Sequence, residues 1–101
     1  VATPTGVVNE IAVVKEFELF QNYPNPFNPT TTIKFAVPRA ENVQIRVFDM
    51  LGRQVAELMN ERVEAGVHNI QFDGSDLSSS IYFYQISAGS FQEIRQMVLV
   101  K

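Results

Sequence analysis

The residues of this chain whose chemistry could make a site are few: His68, the aspartates Asp49, Asp73 and Asp76, and the aromatic run Tyr82, Phe83, Tyr84. His68 is the only histidine, and it falls on the apolar side of an alternating stretch, where a lone imidazole is more often a partly buried core group than a base. A hydrolytic triad needs a nucleophile beside an oriented base, and no GxSxG-type motif accompanies His68. The chain has no cysteine, which excludes disulfides, thiolate metal ligation and thiol catalysis. Asp73 and Asp76 in DGSD, with Asp49 in DMLG, are hard oxygen ligands in type, but the loop lacks the ligand count and closing glutamate of a calcium loop. Asx residues beside glycine ordinarily bond their own backbone and make turns, which is the reading adopted for these. A pair of carboxylates for glycoside hydrolysis would need a cleft to converge in, and a chain this small offers little surface to build one. Tyr82, Phe83 and Tyr84 could stack on a sugar, yet alternation along a strand sends them into a core or against a neighbouring layer, and one tyrosine hydroxyl could tie a loop as a tyrosine corner does. The expectation is therefore no catalytic group, no metal and no cofactor.

Bulk properties narrow the partners. A net charge of -3 and a pI near 5.0, with Lys and Arg scattered singly, provide no basic stripe for nucleic acid or an anionic membrane surface. Apolar runs stay far below the ~20 residues that span a bilayer, and the N-terminal stretch lacks the basic-then-apolar arrangement of a signal peptide. The composition, 46% hydrophobic and 19% charged, is that of a chain that folds, and 101 residues fit one domain.

The elements that would position these residues follow from periodicity. Residues 1–16 open with a Thr/Pro/Gly stretch and read as a linker, with a short edge strand conceivable at Ile11–Val14. Next comes FELFQNYPNPFNP, in which Pro24, Pro26 and Pro29 remove amide donors and fix φ, forbidding helix and central strand alike. Tyr23 to Pro29 must be a rigid extended or turning segment, with Asn25 and Asn28 as turn formers. Alternation then places Ile33, Phe35 and Val37 on one face, and Val43, Ile45 and Val47 inward with Gln44 and Arg46 outward. Gly52 suits a tight hairpin needing positive φ, and QVAELM breaks alternation at Val55 and Leu58, predicting a bulge or a loose edge strand. His68, Ile70 and Phe72 alternate with Val67, Asn69 and Gln71. The run IYFYQI, apolar on both sides, predicts a central strand covered on both faces, and FQEIRQMVLVK predicts a last strand with an open edge. About seven strands at turn spacings of 8 to 12 residues, with no helical period, predict an all-β sandwich or barrel, and the sandwich is the architecture adopted.

Four strings carry a resemblance: QNYPNPFNPTTTIKF (Gln21–Phe35), VFDMLGRQV (Val47–Val55), AGVHNIQFDGSDLSSSIYFYQI (Ala65–Ile86) and the final MVLVK. In order and spacing they resemble the type A C-terminal sorting domain of type IX secretion over residues 17–101. One departure is Ser80, where the family usually has glycine. The resemblance implies an immunoglobulin-like sandwich of about seven antiparallel strands without enzymatic function. It also implies an upstream cargo domain, outer-membrane secretion machinery and a sortase-like peptidase as partners, and a cargo that is secreted or attached at the cell surface by way of the periplasm. Tyr23, Pro24, Asn25, Pro26, Phe27, Asn28, Pro29, Arg95 and Lys101 are the expected recognition residues. The competing assignments are a carbohydrate-binding module or a structural immunoglobulin-like spacer of a polysaccharide-degrading enzyme.

Overall fold

The computed structural model describes residues 13–101. Seven strands form in order: β1 (Glu18–Leu19), β2 (Thr30–Val37), β3 (Glu41–Phe48), β4 (Gln54–Val63), β5 (Gly66–Asp73), β6 (Ser80–Ala88) and β7 (Phe91–Leu99). They make a three-stranded sheet, β1-β2-β5, and a four-stranded sheet, β4-β3-β6-β7, and every pairing between strands is antiparallel. The expected immunoglobulin-like sandwich is the observed fold. Residues 11 and 12 of the conceivable edge strand lie outside the described residues, and Val13 and Val14 belong to no strand.

Alternation decides which side chains meet between the sheets. Ile33, Phe35 and Val37 from β2 lie opposite Val43, Ile45 and Val47 from β3, all fully buried, as the period-two pattern requires. Tyr82, Tyr84, Ile86 and Ala88 of β6 and Met97 and Leu99 of β7 complete the interior. Each large side chain so enclosed contributes roughly 1.5–3 kcal/mol of burial free energy, which is what closes two otherwise half-wet sheets on one another.

Edges and turns follow the local chemistry. The β3–β4 register shifts between Ile45 and Arg46 and again between Val47 and Phe48, so Leu58 and Val55 are the bulged residues on an edge strand, which is where bulges are tolerated. Gly52 adopts φ +83 in the β3–β4 connection, a conformation an L side chain resists. The outer face of β6 departs from expectation. Ile81, Phe83 and Gln85 are only half-buried, because no third layer covers them, and β6 is central within its sheet rather than between layers. Its apolar outer side chains are sheltered by in-plane neighbours, among them Phe48 and Ile94.

Candidate functional site: the proline-asparagine turn and the last strand

The Tyr23–Pro29 segment is built against strands from both sheets. Tyr23 exchanges two backbone hydrogen bonds with Thr32 of β2, each 3.0 Å. Four residues later Phe27 crosses to the other sheet and lies parallel to Leu99. The Phe27 N–H donates to the Val98 carbonyl at 2.9 Å, and the Val100 N–H donates to the Phe27 carbonyl at 3.0 Å. The Asn25 side-chain oxygen accepts from the Val98 N–H at 3.0 Å. Gln21 donates to the Gln96 carbonyl at 2.8 Å. These contacts occupy most of the outward-facing backbone groups of the second half of β7. The open edge expected for the last strand is thus largely closed, and only its first half, near Gln92 and Ile94, keeps outward groups free of this segment.

Within the segment the side chains divide into anchors and displayed groups. Phe27 is 1% exposed and packs edge-on against Phe72 at 6.0 Å between ring centres. The Pro29 carbonyl accepts from the Gly74 N–H at 2.8 Å, and a Cβ at Gly74 would stand 3.1 Å from Leu99 Cδ2, so glycine allows the loop after β5 to approach this closely. Pro24, Asn25, Pro26 and Asn28 face solvent, and Tyr23 is 81% exposed.

Beneath them runs a buried polar network that sequence reasoning missed. Asn22, 2% exposed, donates from its side-chain amide to Thr31 Oγ1 at 3.0 Å and to the Pro24 carbonyl at 3.2 Å. Thr31 Oγ1 donates to the same carbonyl at 2.8 Å. The Asn22 backbone N–H donates to the Tyr84 hydroxyl, which in turn donates to the Phe20 carbonyl. Burial is the main cause that pushes the Tyr84 hydroxyl up to about 12. The one available signal was a polar Asn22 two residues before the first proline, and the structure buries it together with Thr31 of β2.

Arg95 and Lys101 are both engaged by groups of the domain itself, Lys101 at the surface and Arg95 half-buried. Arg95 Nε donates to the Leu19 carbonyl at 2.6 Å and its guanidinium lies 3.4 Å from Glu93, tying β7 to β1. Lys101 Nζ donates to the Ser75 and Leu77 carbonyls at 2.5 and 2.8 Å, and its backbone N–H donates to Ser79 Oγ at 2.9 Å. The loop after β5 is therefore wrapped around an ammonium. Asp73 in that loop accepts from both the N–H and the hydroxyl of Ser75, which with the Lys101 charge hold its carboxyl below the usual range. Asp49 accepts from the N–H groups of Leu51 and Arg53, each 2.9 Å, and from Arg53 Nε at 2.8 Å. Both carboxylates make turns, as their Asx-glycine settings predict.

The remaining candidates also have structural positions. His68 stacks on Phe35 at 5.3 Å, and its Nε2 lies 2.7 Å from the Glu64 carbonyl. Tyr82 and Tyr84 point into the core, so a sugar platform on that run has lost two of its three rings. The Tyr82 hydroxyl donates to the Ser78 carbonyl four residues upstream at 2.7 Å, the tyrosine-corner arrangement. Ser80 begins β6 without a positive φ, so the expected glycine is dispensable to the backbone there.

The fold and the turn zipped to its last strand define a small immunoglobulin-like sandwich module. The chain belongs to the secretion system C-terminal sorting domain family, whose model matches residues 21–101, and so is a sorting domain of type IX secretion. It is similar to part of dimeric latent PorU from Porphyromonas gingivalis, with a TM-score of 0.67 and 18% identity, over 83% of this chain and 9% of that one. It is also similar to part of PorZ, an essential surface component of the type-IX secretion system of the same bacterium, with a TM-score of 0.57 and 17% identity, over 82% of this chain and 11% of that one. At these identities the likeness is one of fold, and this chain spans about a tenth of either protein. No curated protein matches it in sequence.

Proposed function

We propose that residues 17–101 are the address of a larger cargo protein joined upstream through residues 1–16, read in the periplasm by the outer-membrane type IX machinery. On this reading the cargo is released to the medium or fixed at the cell surface, and a sortase-like peptidase cuts in the Thr/Pro/Gly stretch before Phe17. The observation that carries it is the zipper of Asn25 and Phe27 to Val98 and Val100, which joins the proline-asparagine turn and the last strand into one surface. A folded address of this kind costs a receptor little ordering entropy.

The test places the chain behind a fluorescent reporter in a type IX-competent host and in an isogenic strain lacking the outer-membrane translocon. Reporter outside the cell only in the competent host is the expected result. Equal distribution in the two strains would overturn the proposal. Mass spectrometry of exported reporter should find its new end within residues 1–16, and reporter still carrying Phe17 onward would refute the cleavage.

A further inference from the structure

The outer face of the three-stranded sheet carries a groove of about 430 Å³ lined by Phe20, Gln21, Tyr23, Thr32, Lys34 and Asn69. Its rim is Tyr23, the most exposed aromatic ring among the described residues at 81%. A tyrosine so exposed normally samples many positions, but here the backbone around it is held from three directions. Thr32 bonds its N–H and carbonyl, Asn22 and Thr31 hold the Pro24 carbonyl, and the Tyr84 hydroxyl secures the Phe20 carbonyl and Asn22 N–H. Burying Asn22 and Thr31 is costly unless every bond is made, and these bonds all act on the backbone that mounts one solvent-facing ring. The groove floor holds the Lys34 ammonium 4.9 Å above the Phe20 ring, and among the described residues no carboxylate pairs with it. Glu18, the next carboxylate along, lines the adjoining groove, which shares Phe20 with this one, and makes no ion pair with Lys34.

We infer that the Tyr23–Phe20–Lys34 groove is the docking surface for a protein partner that inserts an apolar side chain against the two rings and sets an Asp or Glu on Lys34. This rests on the sorting reading and names the part of the domain that is read. A pre-mounted tyrosine beside an unpaired cation has the composition of an interface hot spot, since rigid aromatic area is gained with little entropy lost. A peptide carrying a carboxylate fits better than a neutral saccharide, because the groove presents an ammonium with no carboxylate partner among the described residues.

The reporter fusion decides it. Tyr23→Ala and Lys34→Glu should each lower export about tenfold, the loss typical of one hot-spot side chain, with Lys34→Arg near wild type and the melting temperature unchanged. Glu61→Gln, exposed on β4 at the opposite edge, should export normally. Wild-type export with undiminished Tyr23→Ala and Lys34→Glu variants overturns this inference and leaves the sorting reading standing. If the wild-type fusion is not exported, sorting fails by itself and a second arm still decides the surface. In that arm Tyr23→p-benzoyl-phenylalanine is irradiated with outer membranes. A single protein-sized adduct lost in Lys34→Glu supports the groove; no adduct, or a polysaccharide ladder, refutes a protein occupant there.

Discussion

Asn22 and Tyr84 hold one another across the sandwich: the Asn22 backbone N–H donates 2.8 Å to a hydroxyl that donates 2.7 Å onward to the Phe20 carbonyl. Tyr84→Phe keeps the ring and removes that oxygen, leaving a buried N–H and a half-buried carbonyl without this partner. Urea denaturation should show a loss of about 1–3 kcal/mol. The pH dependence has a definite sign. The folded hydroxyl is raised to about 12 while an unfolded tyrosine ionises near 10, so its contribution is complete below about 10 and is lost as pH climbs toward 12. The stability gap between wild type and Tyr84→Phe should narrow over that window and be constant from neutral pH to about 9.

Phe27 is the anchor through which the turn grips β7. Phe27→Ala empties a site between Phe72 and Leu99 and should cost about 3–5 kcal/mol, a large share of a small domain's stability. Phe27→Leu fills most of the space and should cost less while remaining folded. In that variant, hydrogen exchange at the Val98 and Val100 amides should quicken more than exchange at the β3–β6 pairing, because local opening of the zipper precedes global unfolding.

Lys101 organises the loop of Ser75 to Ser79 rather than standing free. Lys101→Ala should speed amide exchange in that loop. Asp73 is held down first by the Ser75 hydroxyl, then by the Ser75 N–H, with Lys101 a lesser cause. Carboxyl NMR titration should therefore move Asp73 upward more in Ser75→Ala than in Lys101→Ala. Because its folded value is depressed, Asp73 contributes stability above the ordinary carboxylate range and loses it as pH falls through the folded value.

Gly52 sits at φ +83 with open space around its Cβ direction, so a substitution there is opposed by backbone conformation alone. Gly52→Ala should lower stability by about 1–2 kcal/mol, and Gly52→Asn by less, since asparagine visits this region more readily. Thermal unfolding of the two variants measures the difference.

Period-two alternation by itself determined which residues of β2, β3 and β5 face inward, because a strand has only two faces and a slip of one residue would expose Ile33, Phe35 and Val37 together. Glycine and proline chemistry likewise determined the turn at Gly52 and the exclusion of Tyr23–Pro29 from helix and central strand. The four strings from Gln21 onward sufficed for the family. Tertiary structure alone decided the rest. Whether β6 had a layer on one side or two depended on how many sheets the chain built, which no single strand records. Phe27 is an anchor and Tyr23 a displayed ring although both are aromatics in one proline-rich string, because Leu99 and Val98 arrive beside the first, whereas the second stands at the rim of an open groove with Thr32 and Lys34. Arg95 and Lys101 are expected recognition residues from the sequence, which could not show Leu19, Ser75 and Leu77 turning their carbonyls toward them.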